Sequence, residues 1–145
     1  MKVFLDTNVV VSAVATRGLC ADVFRSVLEF HELIVSEPLF TEVERVLRDK
    51  IGAPKDLIAD ILWLLQQEAH LSSPDPQIQL SLNDKADISI LSSAINGGVE
   101  VFITGDREIL NLKTIGNLEI LSPRDFWEKM IGQSSEAASP RTPDR

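Results

Sequence analysis

The chain has 145 residues, of which 44% are apolar and 25% charged, and 14 basic against 22 acidic side chains give a net charge of −8. These values are typical of one folded domain and exclude wholesale disorder, a collagen-like repeat and a membrane bundle. The acidity excludes a protein that binds nucleic acid through a general basic field, whereas an enzyme that acts on nucleic acid remains open because bound divalent cations reverse charge locally.

The N-terminal segment imitates a signal peptide, because Lys2 precedes an apolar stretch that ends in Ala-Val-Ala at residues 13–15. Asp6 and Asn8 interrupt that stretch with polar groups. We therefore interpret the segment as part of the mature fold.

Apolar runs and helical patterns alternate along the chain. Runs typical of strands buried on both faces cover residues 3–5, 33–35, 101–103 and 118–121. Helical periodicity covers about 8–15, 21–31, 38–50, 54–69 and 84–96, a polar loop covers 72–82, and Pro123 opens a closing helix. This alternation predicts a three-layer α/β/α domain with a mainly parallel central sheet.

The domain is predicted to cover residues 1–131. Residues 132–145 contain no Ile, Leu, Val or Phe and are predicted to form a disordered tail. The apolar runs are shorter than the roughly 20 residues of a membrane span, so we expect a soluble protein with no membrane partner. A single cysteine, Cys20, excludes an internal disulfide and fits a reducing cytoplasm.

Two of the predicted strands end at an aspartate, Asp6 after the first and Asp106 after the run at 101–103. Ligands bind at the carboxyl ends of strands in open parallel sheets, which favours a shared site. Aspartate also commonly caps a following helix, so for each residue alone both interpretations stay open.

Helix geometry adds further carboxylates. Asp87 lies four residues before Leu91 and seven before Ala94, on the apolar arc of the 84–96 helix, where an unpaired charge is costly. Asp84 begins that helix and has the helix dipole as an alternative role. Glu42 borders the apolar stripe of the 38–50 helix, which is also typical of a solvated flank.

Asp6, Glu42, Asp87 and Asp106 together form a set of oxygen ligands with no histidine or cysteine partner in the pattern. Such sites select Mg²⁺ or Mn²⁺ rather than zinc. The sequence contains none of the motifs of phosphate-binding loops, dinucleotide-binding folds, serine hydrolases or zinc peptidases.

Four motifs of this chain resemble those of a PIN domain in their order and spacing. They are Phe-Leu-Asp-Thr-Asn-Val at 4–9, the Glu42 helix, Asp-x-x-x-Leu-x-x-Ala at 87–94 and Val-Phe-Ile-Thr-Gly-Asp at 101–106. The resemblance covers about residues 1–128 and is closest to the VapC-like toxins of type II toxin–antitoxin pairs. It implies a cytoplasmic endoribonuclease that depends on Mg²⁺ or Mn²⁺ and cleaves single-stranded RNA. It also implies a protein antitoxin as partner, with a homodimer as a form to test.

By position, the resemblance makes Asp6, Glu42, Asp87 and Asp106 the acidic quartet. Asp6 and Asp106 are then the principal metal ligands, Asp87 binds directly or through water, and Glu42 orients a water molecule. Such a site would activate that water for phosphodiester hydrolysis.

Asn8 and Thr104 match the polar residues that support the quartet. Asp84 either takes the third acidic position in place of Asp87 or serves as an outer ligand. With a net charge of −8, contacts to the RNA backbone need local basic groups. The candidates are Arg107, Lys113, Arg17 and Arg25.

Two other functions compete with this interpretation. A phosphatase with an aspartyl nucleophile would also place Asp6 at a strand end, but Asn8 stands where haloacid-dehalogenase-like phosphatases carry a second aspartate. A catalytically silent PIN domain could act as a partner-binding module. The complete quartet argues against a silent site.

Overall fold

A computed structural model gives the fold and describes the backbone of residues 1–138 and the side chains of residues 1–132. The strands are β1 (Lys2–Leu5), β2 (Glu32–Ser36), β3 (Ala69–Ser72), β4 (Val101–Ile103), β5 (Thr114–Ile115) and β6 (Leu118–Leu121). The helices are α1 (Thr7–Ala15), α2 (Leu19–Phe30), α3 (Glu37–Val46), α4 (Lys55–Glu68), α5 (Lys85–Asn96), α6 (Arg107–Leu110) and α7 (Pro123–Ala138).

The strands form one six-stranded sheet in the order β3-β2-β1-β4-β6-β5. All neighbours are parallel except β5, which pairs antiparallel with β6. Helices flank the sheet, and α2, α3, α4 and α5 all contact β2. The predicted α/β fold with a mainly parallel sheet is confirmed.

The centre of the sheet is formed by the two strands that the site depends on. Phe4 in β1 and Phe102 in β4 are fully buried and stack with ring centroids 5.4 Å apart. Each buried aromatic side chain removes a large apolar area from water, so this pair holds β1 and β4 in register. The register sets Leu5 beside Ile103, which brings the residues after both strands to one place.

The structure adds elements that the sequence pattern did not predict. β3 is an edge strand whose His70 and Leu71 are exposed, so it lacks the buried pattern typical of the other strands. The helix predicted over 38–50 ends at Val46 and continues as a π-helical turn, Leu47–Ile51. Gly52 ends this turn with a φ of 74°, a conformation that glycine adopts without strain.

A disordered tail is predicted to begin at Gly132, and in the structure α7 runs past this residue to Ala138. This stretch has no proline before Pro140 and ends in two alanines, so an existing helix extends through it. The rest of the predicted tail, 139–145, lies outside the described residues. In the part of the chain that the structure covers, no helix is long and apolar enough to cross a membrane.

Candidate active site

The candidate site lies at the carboxyl ends of β1 and β4. Asp6 directly follows β1, and its backbone N–H donates to the carbonyl oxygen of Ile103 at 2.9 Å. Thr104 and Asp106 follow β4 at the same edge. The structure thus brings Asp6 and Asp106 together, as the parallel arrangement predicts.

A chain of hydrogen bonds joins these two acids through Thr104. The buried carboxylate of Asp6 accepts from Thr7 N at 2.8 Å with Oδ1 and from Thr104 Oγ1 at 2.7 Å with Oδ2. Thr104 Oγ1, also fully buried, accepts from the backbone N–H of Asp106 at 3.0 Å. Thr104 therefore fixes the orientation of Asp6 and the position of the Asp106 backbone at once.

Asp106 caps a helix, which is the second role that the sequence leaves open for this residue. Its Oδ1 accepts from the backbone N–H groups of Glu108 at 2.8 Å and Ile109 at 3.3 Å, at the start of α6. Its Oδ2 has no hydrogen-bond partner among the described residues. Capping uses one oxygen and leaves the other available to a ligand.

The two aspartates of α5 have different roles. Asp84 is exposed and caps the helix, since its Oδ1 accepts from Ala86 N at 2.8 Å and Asp87 N at 3.2 Å. Asp87 is half-buried in the first turn, and its side chain accepts no hydrogen bond from the described residues. The residues three, four and seven positions later are buried, so Asp87 lies at the end of the core-facing arc. Those residues are Ile90, Leu91 and Ala94.

Burial, with a smaller contribution from mutual repulsion, raises the pKa values of Asp6 and Asp87. Burial raises the pKa of Asp87 to about 6, with further contributions from the charges of Asp6, Asp84, Asp106 and Glu108. Burial also raises the pKa of Asp6, and the charges of Asp106 and Glu42 add to this effect. The hydrogen bonds from Thr104 and Thr7 act in the opposite direction, because they favour the charged form of Asp6.

Protein cations do not neutralise the three aspartates. Of the ion pairs in the described part of the chain, none involves Asp6, Asp87 or Asp106. Glu42 differs, because Arg45 of the same helix binds its carboxylate. The structure therefore brings Asp6, Asp87 and Asp106 into one electrostatic cluster, with Glu42 at its border.

The donor chemistry of this cluster fits a hard divalent cation. Its ligands are carboxylate oxygens only, and a cation would remove the repulsion that raises the pKa values of Asp6 and Asp87. Within residues 1–132, no three acidic, histidine or cysteine side chains are gathered closely enough to hold an ion as they stand. Binding would therefore require the carboxylates to move closer together than they lie in this structure.

Two buried hydroxyls beside Asp6 lack hydrogen-bond partners in this structure, namely Thr7 Oγ1 and Ser36 Oγ. Phe4 pairs with Ile34, so Ser36, two residues further along β2, lies level with Asp6 at the same sheet edge. The sequence analysis missed both, since a serine or threonine next to a helix start is ordinarily a cap. Ser36 precedes α3 but forms no side-chain cap.

The remaining predicted site residues, Asn8 and the four basic candidates, lie in several parts of the fold. Asn8 is exposed in the first turn of α1. Arg107 directly follows Asp106, and Lys113 lines the same surface groove as Arg107. Arg17 follows the far end of α1, and Arg25 is paired with Asp22 within α2. The structure therefore brings two of the four basic candidates, Arg107 and Lys113, together in one groove.

Comparisons with known proteins agree with the fold. A family model described as a PIN domain matches residues 2–108. Similar solved structures include VapBC2 from Rickettsia felis bound to a DNA fragment from their promoter, at 15% identity and a TM-score of 0.61, covering 84% of this chain and 98% of that one. VapBC-1 from nontypeable Haemophilus influenzae is 19% identical with a TM-score of 0.59, covering 86% of this chain and 99% of that one. No curated protein matches the chain. At these identities the structural likeness shows a shared fold.

Proposed function

Because this chain belongs to the PIN domain family, we propose that it is a metal-dependent endoribonuclease that hydrolyses phosphodiester bonds of single-stranded RNA. The observation that carries the proposal is the cluster of Asp6, Asp87 and Asp106 at one sheet edge. These carboxylates repel one another, and no protein cation is paired with them in the described residues. A site that gains stability only when a cation binds is suited to metal-assisted hydrolysis.

Mg²⁺ or Mn²⁺ would be held by Asp6, Asp87 and Asp106, as hard cations prefer carboxylate oxygens. When bound, the ion supplies a nucleophile from water at neutral pH and offsets the charge that develops on the phosphate. Asp84 is the alternative third acid. Its capping bonds to two backbone N–H groups favour Asp87 for that position.

The protein's own groups prepare the site in a defined way. Thr104 and Thr7 hold both oxygens of Asp6, so that carboxylate keeps one orientation without reorganisation. The N-terminus of α6 occupies one oxygen of Asp106 and leaves the other without a hydrogen bond from the described residues. Glu42 would orient the attacking water after release from Arg45, and Asn8 would support the quartet from the exposed first turn of α1.

We also propose that the chain is the toxin of a toxin–antitoxin pair, with a protein antitoxin as partner and the cytoplasm as its location. The structural likeness to two VapBC proteins, over nearly the whole of their matched chains, supports this choice. Growth arrest on expression, relieved by co-expression of the adjacent small reading frame, is the expected result. Growth unaffected by expression of an active nuclease would oppose the toxin assignment.

The nuclease is tested by incubating the purified chain with single-stranded RNA in Mn²⁺, in EDTA, and as Asp106→Asn. We expect cleavage only by the wild type with metal, leaving 5′-phosphate and 3′-hydroxyl ends. A phosphomonoester, p-nitrophenyl phosphate, is the parallel substrate. Its hydrolysis without RNA cleavage would indicate a phosphatase, and inactivity on both would indicate a silent binding module.

A further inference from the structure

A surface groove of about 620 Å³ lies between α6 and the start of α7. Arg107, the residue after Asp106, lines one end. Leu121 lines it as well, and its carbonyl oxygen accepts a hydrogen bond at 3.0 Å from the backbone N–H of Thr104, whose side chain holds Asp6. The groove therefore reaches the sheet edge that carries Asp6 and Asp106.

The charges of this groove suit a polyanion better than the net charge of the chain suggests. Arg107 and Lys113 are exposed and form no ion pair with the described residues. Of the two acids that line the groove, Glu119 is paired with Lys129 at 2.7 Å, which leaves Asp125. The uncharged lining combines hydrogen-bonding groups with apolar side chains, and they are Asn111, Thr114 and Ser122 beside Leu110, Ile120 and Leu121.

The backbone at Lys113 adds an independent observation. Lys113 has a φ of 62° and is the one non-glycine residue with positive φ among those the structure describes. A lysine in this conformation is less stable than a glycine, and such strain tends to persist at functional positions. Its carbonyl accepts from Ile120 N at 2.9 Å, so the turn is held in place against β6.

The other side of the cluster offers a contrasting groove of about 530 Å³ between α3 and α5. Its charged lining consists of Glu37, Glu42 and Lys85, and Arg45 binds Glu42, which leaves one acid and one base. This groove therefore lacks the excess of unpaired basic groups that would attract a phosphate backbone.

We propose that the groove between α6 and the start of α7 binds the RNA strand next to the scissile phosphate, through Arg107 and Lys113 as phosphate contacts. This rests on the proposed ribonuclease function and adds the direction in which the substrate leaves the cluster. Neutral groups of the groove would contact sugars and bases. RNA could therefore bind at this groove although the net charge of the whole chain is −8.

The test uses a short, labelled single-stranded RNA pool of randomised sequence. Arg107→Gln/Lys113→Gln is compared with Lys50→Gln/Lys55→Gln, which removes the same charge from exposed residues on the β3 side of the molecule. Binding is followed by fluorescence anisotropy in EDTA, and cleavage by KM and kcat with Mn²⁺. We expect the groove variant to have a KM and a Kd about tenfold higher than the wild type. The slope of log K against log salt concentration should be flatter by about 1.4, because each lost contact to single-stranded RNA contributes about 0.7. The control pair should change neither.

Lys113→Gly separates RNA binding from folding. Glycine relieves the positive φ, so thermal stability should hold or rise while RNA affinity falls several-fold. Equal affinity and salt slope in the groove and control variants, or unchanged affinity in Lys113→Gly, would overturn the proposal. If the wild type binds RNA through the groove but never cleaves it, the proposed function fails and the RNA groove stands.

Discussion

Replacing Asp87 with asparagine tests the cluster most directly, because it keeps the shape of the side chain and removes one charge. The pKa of Asp87 is raised from 3.8 to about 6 in the folded chain. This rise corresponds to at most about 3 kcal/mol of destabilisation of the charged form, chiefly from its burial and then from repulsion by the neighbouring acids. The side chain is half-exposed, and solvent screening reduces this to about 1 kcal/mol.

The pH dependence of this effect has a definite sign. The folded chain binds a proton at Asp87 more tightly than the unfolded chain does, so this residue lowers stability as pH rises from about 4 to about 6. Above that window the full cost is present, and below it Asp87 is neutral in both states. Asp87→Asn should therefore raise the melting temperature by about 3 °C at pH 7.5 and leave it unchanged at pH 4.

The assay pairs thermal melts in EDTA at both pH values with RNA cleavage in saturating Mn²⁺. Asp87→Asn should lose most cleavage. Asp84→Asn is the comparison, since asparagine caps a helix nearly as well as aspartate and only a dipole contribution of about 0.3–1 kcal/mol is lost. An inactive Asp84→Asn beside an active Asp87→Asn would move the third acidic position to Asp84. Equal destabilisation by Asp87→Asn at both pH values would refute the electrostatic reasoning.

Three further predictions follow from the same site. Mn²⁺ or Mg²⁺ should raise the melting temperature, with a gain of about 2.7 kcal/mol at a concentration one hundred times Kd, and EDTA should reverse it; calorimetry without any such shift would contradict an intact metal site. Thr104→Val removes the hydrogen bond that lowers the pKa of Asp6, so the acid limb of the pH profile of kcat/KM should move to higher pH, with Thr104→Ser restoring it. Ser36→Ala removes a buried hydroxyl that has no partner, so the melting temperature in EDTA should hold or rise; a loss of more than about 1 kcal/mol would show that the hydroxyl forms a stabilising bond.

The positions of Asp6 and Asp106 at one edge of the sheet, and the face of α5 on which Asp87 lies, could be predicted from the sequence. Both depend on local patterns of apolar residues. Val3, Phe4 and Leu5 form an apolar run without alternation, which a strand buried on both faces requires, and the structure buries all three. The position of Asp87 follows from the spacing of apolar residues along α5. Asp6 and Asp106 could therefore be predicted to approach each other before any coordinates were known.

Other features depend on tertiary contacts that no local pattern records. β3 exists because the backbone of residues 69–72 pairs with β2, although its own side chains are largely exposed. The unpartnered state of Ser36 Oγ depends on what packs around it in the fold. By contrast, the ion pair between Glu42 and Arg45 could have been predicted from the sequence, because residues three apart on a helix are neighbours.

The distribution of unfavourable groups is itself an argument for the site. Most of the buried set is apolar and consistent with the fold, from Phe4 and Phe102 outwards. The unpaired carboxylates, the raised pKa values and the two hydroxyls without partners all occur around the ends of β1, β2 and β4. Each of these features lowers the free energy of unfolding. Substitutions that restore stability are easily found, so such an arrangement is expected only where function requires it. A helix-capping role explains one oxygen of Asp106 and one of Asp84, but it explains neither Asp87 nor the hydroxyls. The proposed cation-binding site would account for the carboxylates together, and the proposed RNA groove would bring an anionic substrate to them.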